Sequence, residues 1–212
     1  RCVKLGQYTK GSIKAKPVDS YADEVGRSTD TETFAALRCE ISNWRWSGVP
    51  FYLRTGKRLA GRASEIVVTF KRPPHNIFED GVRGIAESME PNRLVIRLQP
   101  NEGLKLSMIS KEPGPGGMRL FPASLNLSFN ETFKTRLPEA YERLLMDIAR
   151  GNQTLFMRSD EVEAAWAFTD PIVNEAKKRE PKEYTAGSWG PVSSFELMAE
   201  HGHRWIEPEV HG

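Results

Sequence analysis

Residues 49–62 of this chain are Val49-Pro50-Phe51-Tyr52-Leu53-Arg54-Thr55-Gly56-Lys57-Arg58-Leu59-Ala60-Gly61-Arg62. The first half favours a β-strand, because aromatic and apolar residues dominate it. Gly56 and Gly61 then favour a turn, since glycine adopts positive φ without a steric penalty. The segment therefore predicts a strand that ends in a tight cationic turn, as in a β-hairpin.

Further strand-like segments lie on both sides of this turn, with short or turn-rich connections between them. The predicted strands are Phe34 to Trp44, Phe51 to Thr55, Glu65 to Lys71, Leu94 to Gln99, Leu104 to Ser110 and Met118 to Phe129. Because no helical crossover separates these strands, they favour a mostly antiparallel sheet. The polar residues from Gly6 to Asp30 show no sustained period and are predicted to form a long surface excursion.

The second half of the chain changes to a helical period. Pro138 suits the first turn of one helix, and Gly151 suits its end. A second helix is predicted from Ser159, whose hydroxyl can cap free amide groups. Pro171 lacks a backbone N–H, so this helix should kink or split at Asp170. Strands followed by helices predict an α+β fold in which the helices pack on one face of a large antiparallel sheet.

The composition is that of a folded globular domain. The chain has 212 residues, of which 39% are hydrophobic and 27% charged, and its net charge is only +2. These values favour a single domain over residues 1–212 and give little attraction to nucleic acid. Neither a membrane-spanning apolar run nor a signal-peptide pattern is present. Cys2 and Cys39 are too few for a disulfide framework, which predicts thiols in a reducing, cytoplasmic location.

Two weaker motifs suggest other chemistry. His201 and His203 are spaced so that both could contact one metal ion, but a closed site requires four ligands, and a solvent-exposed tail is the simpler interpretation. Trp44 and Trp46 alternate along an extended segment and could stack on nucleic-acid bases. Packing in the core or at an interface is the simpler explanation for the two tryptophans. Neither motif predicts a metal or nucleic-acid site.

The turn at residues 54–62 is the strongest candidate for ligand binding. It carries four cations, Arg54, Lys57, Arg58 and Arg62, and no carboxylate. Arginine can bind phosphate through two hydrogen bonds, and lysine supplies a compact mobile charge. Spacing alone also fits an ordinary solvated basic turn. The residues by themselves therefore leave both interpretations open.

Longer motifs resemble one enzyme family, and they occur in that family's order along nearly the whole chain. Residues 43–57 closely resemble a segment of glucose-6-phosphate dehydrogenase. Later blocks that resemble the same family are Ser64-Glu65-Ile66-Val67-Val68-Thr69-Phe70, Asn92-Arg93-Leu94-Val95-Ile96-Arg97-Leu98-Gln99-Pro100-Asn101-Glu102, Leu137-Pro138-Glu139-Ala140-Tyr141-Glu142-Arg143-Leu144-Leu145, Arg158-Ser159-Asp160-Glu161, Ala164-Ala165-Trp166 and Ala186-Gly187-Ser188-Trp189-Gly190-Pro191.

The resemblance implies a carboxyl-terminal part of a longer enzyme. Members of the family begin with a dinucleotide-binding domain whose glycine-rich loop holds NADP. No such loop occurs here, and the nearest glycine cluster, residues 114–117, favours a turn between strands. The family's catalytic histidine motif is also absent. The resemblance thus implies that NADP is bound outside this chain, that no residue of this chain is catalytic and that the chain alone is inactive.

Three residues match positions where the family binds its substrate, glucose 6-phosphate. Lys57 occupies the position of the substrate-binding lysine, and Arg62 a position where the family carries a second cation. Gln99 matches a glutamine whose amide can both donate and accept a hydrogen bond. Arg62 also fits a solvated turn residue, and Gln99 a strand end. Arg54 is expected to support the site or pair with a carboxylate, and Arg58 to point to solvent.

The resemblance also implies partners. These enzymes are dimers or dimers of dimers joined through the sheet, so a homodimer or homotetramer is expected. Some members bind a second, structural NADP beside this sheet. Ala63 and Val67 stand where that site requires a lysine and an arginine, which predicts no such site here. Two other functions stay open: a noncatalytic sugar-phosphate sensor and a pure oligomerisation domain.

Overall fold

The computed structural model describes residues 2–72, 90–115, 119–133, 140–176 and 178–209. The chain divides into two compact units. The first unit comprises Arg1–Gly61 and Tyr141–Glu209, and the second unit comprises Arg62–Ala140 and Val210–Gly212. The described elements are strands connected mainly by turns, followed by helices, so the predicted α+β class is confirmed.

The strands among the described residues match most of the predicted ones to within a few residues. They are β1 (Val3–Thr9), β2 (Gly11–Ile13), β3 (Lys16–Val18), β4 (Phe34–Glu40), β5 (Pro50–Gly56), β6 (Ser64–Thr69), β7 (Arg93–Gln99), β8 (Gly103–Lys111), β9 (Leu120–Ser128) and β10 (Lys182–Thr185). The described helices are α1 (Tyr21–Val25), α2 (Phe129–Phe133), α3 (Ala140–Ala149), α4 (Ser159–Ala176) and α5 (Val192–Ala199).

The described strands are distributed over three sheets. In the first unit, a four-stranded sheet has the order β10-β1-β4-β5, and β2 pairs with β3 in a separate hairpin. In the second unit, β6, β7, β8 and β9 form a four-stranded sheet in sequence order. Every described pairing is antiparallel except that between β1 and β10, which is parallel. The prediction of mostly antiparallel pairing is therefore confirmed.

The core of the first unit lies where β1, β4 and β10 meet α5. Its buried side chains are Tyr8, Phe34, Ala36, Tyr184, Ala186 and Leu197. The prediction that residues 6–30 form a surface excursion is wrong, because β1 continues to Thr9 and Tyr8 is only 3% exposed. Hydrogen bonding to β4 and to the distant β10 makes this weakly patterned segment a central strand.

The predicted helices are present. Helix α3 is confirmed over Ala140–Ala149, although Pro138 lies outside the described residues. Helix α4 begins at Ser159 and continues without interruption through Pro171 to Ala176, so the predicted split is wrong. A proline removes one backbone hydrogen bond, and the remaining turns on both sides hold the helix together. Among the described residues, no helix is long and apolar enough to cross a membrane.

The two tryptophans near β5 lie outside the core. The strand predicted to reach Trp44 ends at Glu40, and the side chain of Trp44 is fully exposed. Trp46 is partly covered and makes an edge contact with Phe51, with 5.3 Å between the ring centres. The prediction of core packing is therefore wrong for Trp44.

Candidate functional site

The backbone of Lys57 is held on both sides of its Cα atom. Lys57 follows the last residue of β5, Gly56. Its N–H donates to the carbonyl of Thr33 over 2.8 Å, and its carbonyl accepts from the hydroxyl of Tyr184 over 2.7 Å. Tyr184 is 4% exposed and Thr33 is 8% exposed. The Lys57 backbone is thus fixed to buried groups.

The side chain of Lys57 points away from this buried layer and is exposed. Within the described residues, its ammonium group makes no ion pair. Since an isolated ammonium keeps its three N–H donors for other acceptors, Lys57 can bind an anion or several hydroxyl groups. The combination of a fixed backbone and an uncommitted cation is what a small polar ligand requires.

The residue after Lys57 is fixed as well. Arg58 has a φ of +49°, and its carbonyl accepts from the N–H of Gly187 over 2.8 Å. Its guanidinium group pairs with Glu24 over 2.7 Å, and Glu24 also accepts from the hydroxyl of Tyr8 over 2.8 Å. Arg58 is exposed, as expected, and a carboxylate from α1 pairs with it. Arg58 stabilises the turn instead of contributing a free charge.

Close packing beneath the turn explains why glycine occupies position 56. A Cβ atom at Gly56 would lie 2.8 Å from Phe34 and 3.2 Å from Leu59. Leu59 packs against the core of the first unit, and the N–H of Ala60 donates to Ser188 over 3.0 Å. The turn therefore packs closely against the core, and this packing further limits the movement of the turn.

Arg62 and Gln99 belong to the second unit. Gln99 is the last residue of β7 and pairs in register with Ser64, the first residue of β6. Arg62 precedes β6 by two residues, so it lies near the same end of this strand pair. Both side chains are exposed, and neither makes a side-chain hydrogen bond or ion pair with another described residue. Arg62 and Gln99 thus lie near one end of the β6–β7 pair, and Lys57 lies in the other unit.

Arg54 is held by aromatic rings. Its guanidinium carbon lies 5.1 Å from the ring centre of Trp189 and 4.6 Å from that of Trp205. It also donates to the carbonyl of Trp189 over 3.5 Å. A cation over an indole ring is stabilised by the electron-rich face of the ring. Arg54 therefore attaches the carboxyl-terminal segment to β5.

His203 is exposed, as expected, and it also contacts β5. Its Nδ1 atom lies 2.9 Å from the hydroxyl of Tyr52, and the two ring centres are 5.5 Å apart. In the described part of the chain, no group of three or more His, Cys, Asp or Glu side chains is arranged to hold a metal ion. His203 thus has a structural partner in Tyr52.

Tyr184, Thr33 and Glu24 are the residues around Lys57 that sequence reasoning missed. Tyr184 lies in a strand of only four residues, Lys182–Thr185, and Thr33 immediately precedes β4. Neither segment has a periodic pattern that would single out these side chains. In the sequence these residues are marked only by being polar beside apolar neighbours. Many ordinary surface residues share this property, so it does not single them out.

Comparison with known proteins gives the same family over residues 1–206. Residues 1–206 match the family model described as "Glucose-6-phosphate dehydrogenase, C-terminal domain". Glucose-6-phosphate 1-dehydrogenase of Rhizobium meliloti is 55% identical over 203 residues, which cover 94% of this chain and 40% of the relative. The enzyme of the same name from Mycolicibacterium smegmatis is 53% identical over 203 residues, again 94% of this chain and 40% of the relative.

Solved structures agree with this result. A glucose-6-phosphate dehydrogenase solved in complex with its substrate glucose-6-phosphate is 33% identical and has a TM-score of 0.82, over 97% of this chain and 41% of that chain. The glucose-6-phosphate 1-dehydrogenase of Mycobacterium avium is 30% identical with a TM-score of 0.77, over 99% of this chain and 41% of that chain. The chain spans about 40% of the length of the curated relatives it matches. Because the family model covers residues 1–206, the chain belongs to the glucose-6-phosphate dehydrogenase C-terminal domain family.

Proposed function

We propose that this chain is the substrate-positioning and assembly part of an NADP-dependent glucose-6-phosphate 1-dehydrogenase. Such an enzyme oxidises carbon 1 of glucose 6-phosphate to a lactone in the oxidative pentose phosphate pathway and reduces NADP to NADPH. The observation that carries the proposal is the family match over residues 1–206, together with relatives of that name at 55% and 53% identity. On this proposal the two units work as one domain of a longer protein.

Lys57 is the residue we assign first to the substrate. Its exposed ammonium group has no ion pair among the described residues and stands on a turn fixed by Thr33 and Tyr184. A fixed cation can donate to sugar hydroxyls or phosphate oxygens with little loss of conformational freedom on binding. Its contribution is orientation of the sugar, and proton transfer falls to residues outside this chain.

Arg62 and Gln99 are assigned complementary contacts. The guanidinium group of Arg62 suits the phosphate, because it can donate two parallel hydrogen bonds. The amide of Gln99 suits a hydroxyl, because it offers both a donor and an acceptor. The exposure of both side chains near one end of the β6–β7 pair supports these roles.

We infer that NADP is not bound at the glycine-containing passage from β10 into α5, residues 186–191. The amide groups of this passage are already engaged: Ala186 donates to Thr9, Gly187 to Arg58 and Ser188 to Thr185. A pyrophosphate needs free amide groups at such a turn. We therefore assign NADP to a part of the enzyme outside this chain and expect the 212-residue chain alone to be inactive.

The substrate assignment is tested in the full-length protein that contains this chain. We expect Lys57→Ala to raise the KM for glucose 6-phosphate by about tenfold or more, since a charge-assisted hydrogen bond contributes about 1.5–3 kcal/mol. Arg62→Ala and Gln99→Ala should raise the same KM, while the KM for NADP stays unchanged in all three. Lys16→Ala is the matched control, because Lys16 is an exposed lysine of β3.

The outcomes separate the three candidate functions. A dehydrogenase shows turnover that depends on Lys57. A noncatalytic sensor binds glucose 6-phosphate without turnover and loses that binding in Lys57→Ala. A pure oligomerisation domain assembles and binds no sugar phosphate. An unchanged KM in Lys57→Ala would overturn the assignment of Lys57.

We also propose a homodimer or homotetramer assembled through the sheet, in a cytoplasmic enzyme. Two rows of register partners cross the second unit on one face, and all eight are apolar: Ile66, Ile96, Leu104 and Leu127 form the first row, and Val68, Leu94, Leu106 and Leu125 the second. Several stay exposed, including Leu125 at 65%. A contiguous apolar surface of this kind is typical of an interface. Free thiols at Cys2 and Cys39 fit a cytoplasmic location.

Light scattering coupled to size-exclusion chromatography tests the assembly. We expect Leu125→Asp to weaken the oligomer, because a carboxylate would be buried without a partner. Ser124→Asp is the matched control, since neighbouring strand residues point to opposite faces. Equal molar masses for wild type and Leu125→Asp at every concentration would contradict the interface.

A further inference from the structure

A chain of hydrogen bonds ends at the carbonyl of Lys57. The N–H of Tyr8 donates to Oγ1 of Thr33 over 3.1 Å, and this oxygen lies 3.1 Å from the hydroxyl of Tyr184. The Tyr184 hydroxyl lies 2.7 Å from the carbonyl oxygen of Lys57. The Tyr184 hydroxyl has one hydrogen to donate, and the Lys57 carbonyl at 2.7 Å is a closer acceptor than the Thr33 carbonyl at 3.3 Å. With that hydrogen donated to Lys57, the Thr33 hydroxyl is the donor to the Tyr184 oxygen.

The ring of Tyr184 cannot easily move within the core. It packs against Phe34 and Tyr8, with ring centres 5.5 Å and 6.3 Å away. Burial raises the pKa of its hydroxyl above the ordinary tyrosine value. The group consequently stays protonated and remains a donor at neutral pH.

Thr33 and Tyr184 hold the peptide groups on both sides of the Lys57 Cα atom. Thr33 accepts from the Lys57 N–H through its carbonyl, over 2.8 Å, and orients the Tyr184 hydroxyl through its side chain. Tyr184 then fixes the peptide plane between Lys57 and Arg58. With both neighbouring peptide groups set, the freedom of Lys57 is confined to its side-chain torsions.

From this arrangement we infer that Tyr184 is a positioning residue for Lys57, which sets the point from which the ammonium group reaches the sugar phosphate. The inference rests on the proposed substrate-binding role of Lys57. In this proposal Tyr184 does not contact the substrate. It restricts the backbone of Lys57 before binding, so that less conformational entropy is lost when the substrate binds. Without the hydroxyl, the Lys57 carbonyl would lose its donor and the turn would relax.

The test uses Tyr184→Phe in the full-length protein that contains this chain. We expect the KM for glucose 6-phosphate to rise about two- to tenfold, as for loss of one hydrogen bond, with kcat and the KM for NADP unchanged. Tyr52→Phe is the matched control, because it removes a hydroxyl from β5 whose partner is His203. A general loss of packing would not change the KM for glucose 6-phosphate alone.

A double-mutant cycle with Lys57→Ala separates positioning from independent structural effects. If Tyr184 acts through Lys57, adding Tyr184→Phe to Lys57→Ala should change the KM no further. Equal effects in both backgrounds would overturn the inference, as would an unchanged KM in Tyr184→Phe. If Lys57→Ala itself leaves the KM unchanged, the proposed function of Lys57 fails, and this inference fails with it.

A second variant covers the case in which Tyr184→Phe does not fold. Thr33→Val keeps the phenol but removes the hydroxyl that orients it, and we expect a smaller rise in the same KM. Native-state hydrogen exchange gives an independent reading, since the Lys57 amide should lose protection in Thr33→Val. Unchanged protection and unchanged KM in Thr33→Val would overturn the inference.

Discussion

The guanidinium group of Arg54 lies over the indole ring of Trp205, with 4.6 Å between its central carbon and the ring centre. Trp205 is held in turn by a hydrogen bond from its ring N–H to the carbonyl of Ser194 over 2.9 Å. The pair links β5 to the segment that follows α5. β5 is an edge strand of its sheet among the described residues.

Replacing Arg54 tests how much this contact stabilises the first unit. We expect Arg54→Met to lower the free energy of unfolding by about 1–2 kcal/mol, because methionine keeps an apolar chain but loses the cation. Urea denaturation followed by tryptophan fluorescence measures the change. Arg45→Met is the control, since Arg45 is exposed and has no ion pair among the described residues. Equal losses in both variants would contradict the stacking interpretation.

Gly190 is predicted to be intolerant of any side chain. Its φ is +109°, and a Cβ atom there would lie 2.4 Å from the buried ring of Phe34. Gly190→Ala should cost about 3 kcal/mol through backbone strain and overpacking together. Gly202→Ala should cost only about 1 kcal/mol, since Gly202 has a φ of +70° but open space around it. Similar melting temperatures for the two variants would refute the packing contribution.

The hairpin between β2 and β3 offers a stabilising substitution. Its two-residue turn consists of Lys14 at φ +49° and Ala15 at φ +60°, a conformation that favours Asn-Gly. We expect Ala15→Gly to raise the free energy of unfolding by about 1 kcal/mol, because alanine is strained at positive φ. Ala22→Gly within α1 should have the opposite sign. Thermal denaturation of both variants gives the comparison.

Tyr184 should make stability depend on alkaline pH. Burial raises the pKa of this tyrosine in the folded protein, so its contribution is fully present below the ordinary tyrosine pKa of about 10 and is lost as the pH rises through the folded value. Tyr184→Phe lacks this ionisation. The stability difference between wild type and Tyr184→Phe should therefore shrink above about pH 10 in urea titrations. A difference that grows with pH would contradict the raised pKa.

The sequence correctly predicted the elements that depend on local signals. Strands β4 to β9 have local apolar patterns and are bounded by turn residues, so their positions follow from neighbouring residues. Helices α3 and α4 follow from their apolar period, with Gly151 after the first and Ser159 at the start of the second. Lys57, Arg62 and Gln99 were selected because whole motifs around them resemble one family, and their contacts with substrate stay predictions.

Contacts between distant segments could not be predicted in this way. The strand pairing of Tyr8 with Tyr184 joins residues far apart in the chain, and only packing selects it. Because of the same packing, residues 6–9 belong to a central strand. It also places the carboxylate of Glu24 beside the guanidinium group of Arg58.

The sequence by itself thus determined the fold class, the mostly antiparallel strands and the cationic turn, because local periodicity and turn chemistry depend on adjacent residues. The turn does not close a hairpin, since β5 pairs with β4, and β6 belongs to another sheet. Only the tertiary structure decided which side chains hold that turn in place. Hydrogen bonds such as that from Tyr184 to Lys57 form when separate strands pack into one core, and no local pattern in either segment specifies the partner.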